Sequence, residues 1–297
     1  MQTFYQSGQK VRVYHGSTNS LRKQSFNKNN IVDISSFDEV IDIDPSNKIV
    51  TVEPNVPMDK LVARTLKKGF MPAVVMEFPG ITVGGGIQGG AAESSAFKYG
   101  LFHDICTEYE IVLGNGDILM ANKKQNSQLF NEISCTYGTL GIITKVKLKL
   151  IPATKYVKVQ YTKVCSFTDA RRILLDKTKQ KIDFVDGIMF NAKSGVIMTG
   201  TLTNDHNLSR KSFHRFRDEW FYIHAKKVSE SHETFEEIIP LKDYLFRYDR
   251  GAFWMARYLF GLLHLPFNRL SRFLASPFCT TRFYIGSCML QTYLRGS

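Results

Sequence analysis

Between Val11 and Pro152 short stretches with an apolar/polar period of two alternate with turns and with a few stretches of helical period. Residues 48–53 (KIVTVE) alternate like a half-buried strand, and Pro54 ends it. Pro57 then suits the first turn of a helix whose apolar face is Met58, Leu61, Val62 and Leu66, stopped by Gly69. Residues 109–113 and 117–120 flank Asn115-Gly116, a pair that tolerates the positive φ of a tight turn, which predicts a hairpin. Along 144–150, Lys145, Lys147 and Lys149 alternate with Val146, Leu148 and Leu150, so the lysines read as the wet face of a strand, not as an anion patch. After Pro152 the texture changes: strands over 185–190 and 195–201, a polar break at 204–208, then helical, aromatic-rich sequence. The pattern predicts an α+β first domain over 1–152 and a second domain over 153–297.

Composition sharpens this picture. A chain of 297 residues with 43% hydrophobic residues is neither a disordered tail nor a fibrous repeat. The net charge of +12 is unevenly placed, with 16 basic and 14 acidic side chains in residues 1–150 against 23 and 13 in the rest. From Leu241 onward there are 8 basic residues, 2 acidic ones and 13 aromatics. No zinc-finger, helix-turn-helix or RNA-binding signature accompanies the charge, so nucleic acid is set aside. The five cysteines, Cys106, Cys135, Cys165, Cys279 and Cys288, have no metal-site spacing and read as free, mostly buried thiols. The first ten residues are polar and lack the apolar core of a signal peptide, and no run approaches the roughly 20 apolar residues that span a bilayer.

Candidate chemistry concentrates in glycine. Residues 78–90, FPGITVGGGIQGG, carry five glycines in seven positions from Gly84, a density that lets backbone approach a ligand and aim N–H groups at it. Gly84, Gly86 and Gly89 satisfy the GxGxxG spacing, but Pro79-Gly80 interrupts the strand that a dinucleotide fingerprint needs, and no regular helical period follows. The segment therefore reads as a glycine-rich loop. Two more small-residue turns lie far away in sequence: YHGSTNSLR over 14–22, after a strand at 10–14, and YGTLGII over 137–143. Three donor-rich loops in one domain suit a long ligand with a pyrophosphate in its middle.

The run ITVGGGIQGGAAESSAFKYGLFHDICTEYEIVLGNGD, followed by NSQLFNEISCTYGTLGIITKVKLKLIPATKYVKV, resembles the flavin domain of the Δ24-sterol reductases, within the vanillyl-alcohol-oxidase-like group with a PCMH-type FAD domain. The likeness runs from about Val11 to the region of Tyr284, including VEPNVPMDKL, FVDGIMFNAKSGVIMTG, EEIIPLKDYLFRYDRGAFW and RYLFGLL. It implies a two-part PCMH-type FAD-binding domain over 1–152, then an incomplete α+β substrate domain over 153–297 in a chain shorter than complete members. It also implies non-covalent FAD, with the pyrophosphate meeting Gly16, Ser17, Thr18 and Asn19 from the first loop and Thr82, Val83, Gly84 and Gly85 from the second. Gly89, Glu93, Ser94 and Ser95 would lie along the cofactor, and Gly138, Thr139, Gly141 and Ile143 near its adenine half. His15 precedes the loop glycine and reads as a structural or hydrogen-bonding residue.

The activity so implied is reduction of a sterol side-chain alkene, with NADPH as electron donor, at the endoplasmic reticulum membrane. Such an alkene is a poor hydride acceptor and needs a well-placed acid in a dry pocket. Tyr248, Asp249 and His103 are candidates for that acid, though a structural hydrogen-bonded role fits each better, and no catalytic residue is assigned. The basic aromatic region 241–285 suits shallow contact with a membrane surface, with packing inside the substrate domain as the other reading. Two further functional classes stand beside this one: an FAD oxidase of the same fold acting on an alcohol or sugar lactone, and an inactive, flavin-free fragment serving as a membrane- or partner-binding module.

Overall fold

The computed structural model describes residues 1–16 and 28–282, which fall into two compact units meeting in sequence at Pro152 and Ala153. The first contains α1 (Gln2–Gln6), β1 (Arg12–Tyr14), β2 (Ile31–Asp33), β3 (Val40–Asp44), β4 (Ile49–Val52), α2 (Met58–Leu66), β5 (Phe70–Pro72), α3 (Val83–Gly89), α4 (Ala96–Tyr99), β6 (Cys106–Val112), β7 (Ile118–Asn122), α5 (Ser127–Glu132) and β8 (Ile142–Pro152). β1 and β2 form a parallel pair. The remaining strands make one antiparallel sheet in the order β3-β4-β8-β6-β7, with β5 joined to the end of β8.

The period-two pattern of β8 sets that sheet. Val146, Leu148 and Leu150 are buried, while Lys145 and Lys147 pair across to Glu110 at 3.0 Å and Glu108 at 2.8 Å on β6. The lysine face is thus cross-linked by charge as well as wet, each pair worth about 0.2–1 kcal/mol. α2 begins and ends where the sequence predicts, but its fourth buried position is Thr65, one residue before Leu66. Met58, Leu61, Val62 and Thr65 share one face at helical spacing, and the Thr65 hydroxyl is satisfied by the Leu61 carbonyl at 3.1 Å.

The β6–β7 hairpin turns on one glycine rather than on a pair of left-handed residues. Gly116 has φ +93° and Asn115 does not share it. The Gly116 N–H donates to the Leu113 carbonyl at 3.0 Å and the Leu113 N–H to Asp117 at 2.9 Å, a three-residue loop in which glycine takes the left-handed position. Of the cysteines, Cys106 and Cys279 are buried, Cys135 and Cys165 are exposed, and Cys288 lies outside the described residues, so burial holds for half of those described. Desolvation pushes the Cys106 thiol up to about 12.

The second unit contains β9 (Tyr156–Val164), α6 (Phe167–Lys177), β10 (Phe184–Asn191), β11 (Ser194–Thr203), α7 (Phe221–Ser231), β12 (Thr234–Pro240), α8 (Leu241–Leu245), α9 (Met255–Leu262) and α10 (Arg269–Ala275). Its antiparallel sheet runs β10-β11-β9-β12. Alternation along β9 sends Val164 to one face, where it packs with Ala170 of α6. Tyr161 points to the other face, against Phe221 and His224 of α7.

Candidate flavin site

The glycine-rich segment is a helix. Thr82 caps α3, its hydroxyl accepting from the Gly85 N–H at 3.1 Å, and Gly90 closes it in the left-handed conformation at φ +62°. The other amides of the first turn are also bound within the protein: Val83 to the Val56 carbonyl at 3.0 Å, Gly84 to Pro54 at 2.7 Å and Gly86 to Thr82 at 2.8 Å. The N–H groups of Val83, Gly84 and Gly85 therefore have partners already. What the helix presents outward is a bare side. Val83, Gly86 and Ile87 are buried, whereas Gly85 and Gly89, four residues apart on one face, are exposed.

The glycines of this helix divide by what surrounds them. A Cβ on Gly86 would lie 2.3 Å from Sδ of the buried Met76, and one on Gly84 3.1 Å from the Pro54 carbonyl, so these two are needed for internal packing. A Cβ on Gly89 would meet nothing within 4 Å. Gly86→Ala is expected to destabilise by about 1–3 kcal/mol through overpacking. Gly89→Ala should stabilise the flavin-free protein by about 0.5–1 kcal/mol through helix propensity while weakening FAD binding. Parallel urea denaturation and FAD titration of the two variants check this; Gly89→Ala binding FAD as tightly as the parent would remove Gly89 from the site.

The second and third candidate segments meet through one side chain. Gln88 Nε2 donates to the Ile133 carbonyl at 3.2 Å, and its Oε1 accepts from the amides of Thr136 at 3.1 Å and Gly138 at 3.3 Å and from the Thr136 hydroxyl at 3.3 Å. The Cys135 amide adds a bond to the Ile87 carbonyl at 3.3 Å. Here Cys135, Tyr137 and Gly138 all have positive φ, a turn held by these bonds.

Gly16 is left-handed at φ +68° and is tied to α3 only indirectly. It sits beside Ser35, whose carbonyl accepts from Asn55 Nδ2 at 2.9 Å, and Asn55 lies between the two residues, Pro54 and Val56, that hold the first turn of α3. Ser17, Thr18 and Asn19 lie outside the described residues. His15 is partly buried, and desolvation holds its pKa below the ordinary 6.5. With the folded value below the unfolded one, its contribution to stability is complete above 6.5 and is lost as pH falls below it. The Ile34 amide, bonded to the Tyr14 carbonyl at 2.8 Å, should lose protection relative to its intrinsic exchange rate on acidification, an effect that His15→Gln should abolish.

The remaining candidates separate into exposed and internal positions. Glu93 and Ser94 are half-buried on the stretch that follows α3, and Thr139 is exposed with its hydroxyl on the Thr136 carbonyl at 2.8 Å. Ser95 is 2% exposed and donates to the Ala73 carbonyl at 3.0 Å. Ile143 is a buried residue of β8, and a Cβ on Gly141 would clash with Ile111 at 2.7 Å. Ser95, Gly141 and Ile143 thus shape the walls of the site. A cavity of about 540 Å3 lies elsewhere in the unit, lined by Gln2, Val32, Phe37, Val112 and Ile142 and by none of the predicted site residues. The exposed Gly85/Gly89 face of α3, beside the turn that Gln88 holds, suits a flat cofactor held largely by backbone and shape.

Residues 1–122 match the family described as FAD binding domain. Human Delta(24)-sterol reductase is 32% identical over 263 residues, covering 84% of this chain and 51% of the human protein. The Arabidopsis thaliana Delta(24)-sterol reductase is 32% identical over 251 residues, covering 80% and 44%. Residues 1–122 thus carry an FAD-binding domain of this family, in a chain similar to the Δ24-sterol reductases. It spans about half the length of the curated Δ24-sterol reductases it matches. Cytokinin dehydrogenase 9 of Oryza sativa subsp. japonica is 31% identical over 136 residues, 45% of this chain and 26% of that protein.

Within this Δ24-sterol-reductase-like chain, the three acid candidates have different surroundings. Tyr248 donates to Asp186 Oδ2 at 2.9 Å, and Asp186 also pairs with the buried Arg247. Asp249 Oδ1 accepts from the amide and hydroxyl of Thr281. Both side chains are thus held by hydrogen bonds within the second unit. His103 lies in a 3-10 helix, Phe102–Ile105, that follows α4, and its buried Nδ1 has no partner among the described residues. Sequence reasoning missed Gln88 and Asn55, which join the segments, and the hub at Glu237. That carboxylate, 2% exposed, accepts from the fully buried Tyr161 hydroxyl at 2.7 Å and bonds His224 Nε2 at 2.8 Å. Burial and the Glu237 charge raise the Tyr161 pKa well above its usual range, so this phenol stays protonated.

Proposed function

We propose that this protein is an FAD-dependent oxidoreductase that reduces the Δ24 side-chain double bond of a sterol, with NADPH as electron donor. The observation that supports the proposal is the exposed Gly85/Gly89 face of α3, bonded through Gln88 to the sequence-distant 133–138 turn, in a chain similar to the Δ24-sterol reductases. The residues that would hold the cofactor are Gly16 with Ser17, Thr18 and Asn19, then Thr82, Val83, Gly84, Gly85 and Gly89, with Glu93, Ser94 and Ser95 alongside and Gly138, Thr139, Gly141 and Ile143 toward the adenine. When bound, FAD would supply the hydride chemistry. The chain's own part is to bind and orient it: Thr82, Pro54 and Val56 fix α3, Gln88 fixes the 133–138 turn, and Ser95 and Ile143 close the wall behind them.

Two measurements test this. Purified protein should show flavin absorption bands, and incubation with a Δ24-sterol and NADPH should give the saturated side chain. A spectrum without flavin would sink every enzymatic reading and leave a membrane- or partner-binding module. Flavin without sterol product would favour the second reading, an oxidase of the same fold acting on an alcohol or sugar lactone. The likeness to a cytokinin dehydrogenase over 136 residues supports that one, since it relates this sequence to a flavin fold used on another substrate. The location that goes with the sterol reading is the endoplasmic reticulum membrane, with surface contact through the region 241–285. Among the described residues no helix is long and apolar enough to cross a membrane.

A further inference from the structure

α10 is turned inside out. Its apolar residues Leu270, Phe273 and Leu274, spaced i, i+3, i+4, are 67%, 49% and 65% exposed, while Ser271 and Arg272 lie half-buried on the other side. α9 carries a similar stripe: Trp254, Tyr258 and Leu262, four residues apart, are exposed, while Ala256 and Phe260 are buried. The inner faces of both helices are anchored on one aromatic cluster, Phe260 and Trp220 packing on Phe267 at 5.2 and 5.9 Å between centroids. Arg257 of α9 and Arg272 of α10 stack over the same Phe267 ring at 5.6 and 4.9 Å. Both outward stripes are therefore held in place rather than trailing.

Charge decides what such a surface can face. From Gly251 to the end of the chain there is no acidic residue, whereas Arg257, Arg269, Arg272 and Arg282 are present. A second copy of the chain, meeting this face with the same face, would bring arginines against arginines around an apolar centre. A surface that is apolar inside and anionic outside has no such conflict, and Trp and Tyr beside an aliphatic stripe are the side chains favoured at a bilayer interface.

We propose that the outward face of α9 and α10 inserts in-plane into the headgroup region of an anionic lipid bilayer, with Trp254, Tyr258, Leu262, Leu270, Phe273 and Leu274 entering the acyl boundary and Arg257 and Arg269 meeting lipid phosphates and carboxylates. This deepens the membrane-side location proposed above and rests on it, but does not depend on flavin or on sterol turnover. It also gives the exposed apolar residues of α10 an apolar surrounding that the described residues do not supply.

The test is flotation of the purified chain with phosphatidylcholine vesicles and with vesicles containing 30–40% phosphatidylserine, about the anionic content at which basic segments bind well, read alongside tryptophan emission. The chain has 2 tryptophans, and Trp220 is already buried, so a blue shift on binding reports Trp254. Binding to the anionic vesicles with a blue shift is expected, weakened about fivefold in Arg269→Gln, further at high salt, and abolished in Leu270→Glu/Phe273→Glu/Leu274→Glu. These positions are exposed, so the variants should keep the parental circular dichroism and denaturation midpoint. Flotation unchanged in the triple variant, binding indifferent to lipid charge, or a concentration-dependent dimer that the triple variant dissolves would each overturn the proposal. Loss of sterol product with flotation intact would count against the reductase reading alone.

Discussion

Asp186→Asn is expected to cost the second unit about 3–5 kcal/mol, seen as a large fall in its denaturation midpoint, because it leaves a buried guanidinium without its counter-charge. Arg247 is 1% exposed in its side chain and pairs with Asp186 Oδ2, and it donates to the Tyr244 carbonyl at 2.8 Å. Its guanidinium lies 4.1 Å from the Tyr244 ring centroid and 4.6 Å from that of Tyr248. Stacking retains part of the interaction, but it does not replace a carboxylate. Tyr248→Phe removes only the hydroxyl bonded to Asp186 at 2.9 Å, and should cost about 1.5–3 kcal/mol, the usual worth of a hydrogen bond to a charged group. The order of the two effects separates structure from chemistry. If Tyr248 is structural, sterol turnover per folded molecule stays near the parental value in Tyr248→Phe. A collapse of turnover at unchanged midpoint would instead make it the acid.

The same contrast between period and partner explains what the sequence disclosed. β4, β8 and α2 were legible because their burial follows local alternation: Val50 and Val52 inward, the β8 lysines outward, Met58, Leu61 and Val62 on one helix face. α3 was not, since five glycines in seven positions argue against helix on propensity alone. It forms because Thr82 caps it, the Val56 and Pro54 carbonyls hold its first turn, and Val83 and Ile87 are buried beneath it, all tertiary effects. The glycine-rich stretch does expose backbone at Gly85 and Gly89, but as a helix whose first-turn N–H groups are bound internally, not as a loop aiming free N–H groups. Gln88 escaped notice because its partners lie 45 to 50 residues away. The available signal was its being the one long polar side chain inside GGGIQGG. α10 carried a plain amphipathic period, but period alone does not say which face turns inward.

Gln88→Leu preserves bulk and removes both ends of the amide, leaving the Thr136 and Gly138 amides without the acceptor they share; the Ile133 carbonyl keeps the Thr136 hydroxyl at 2.8 Å. Two stranded donors cost about 2–4 kcal/mol if the turn stays in place, and less if it relaxes into water. Relaxation is the more favourable course, because Cys135 at φ +62° and Tyr137 at φ +54° are held in a conformation that side chains resist. The turn should therefore loosen, and any ligand that needs it must supply the ordering energy on binding, which at 1.4 kcal/mol per decade weakens FAD affinity by tenfold or more. Amide exchange of residues 135–139 without flavin reads the loosening, and FAD titration reads the affinity. Faster exchange with unchanged FAD affinity would remove Gly138 and Thr139 from the site while leaving the Gln88 clamp intact. Slow exchange in the variant would refute the clamp itself, since the turn would then be held by the Cys135–Ile87 bonds alone.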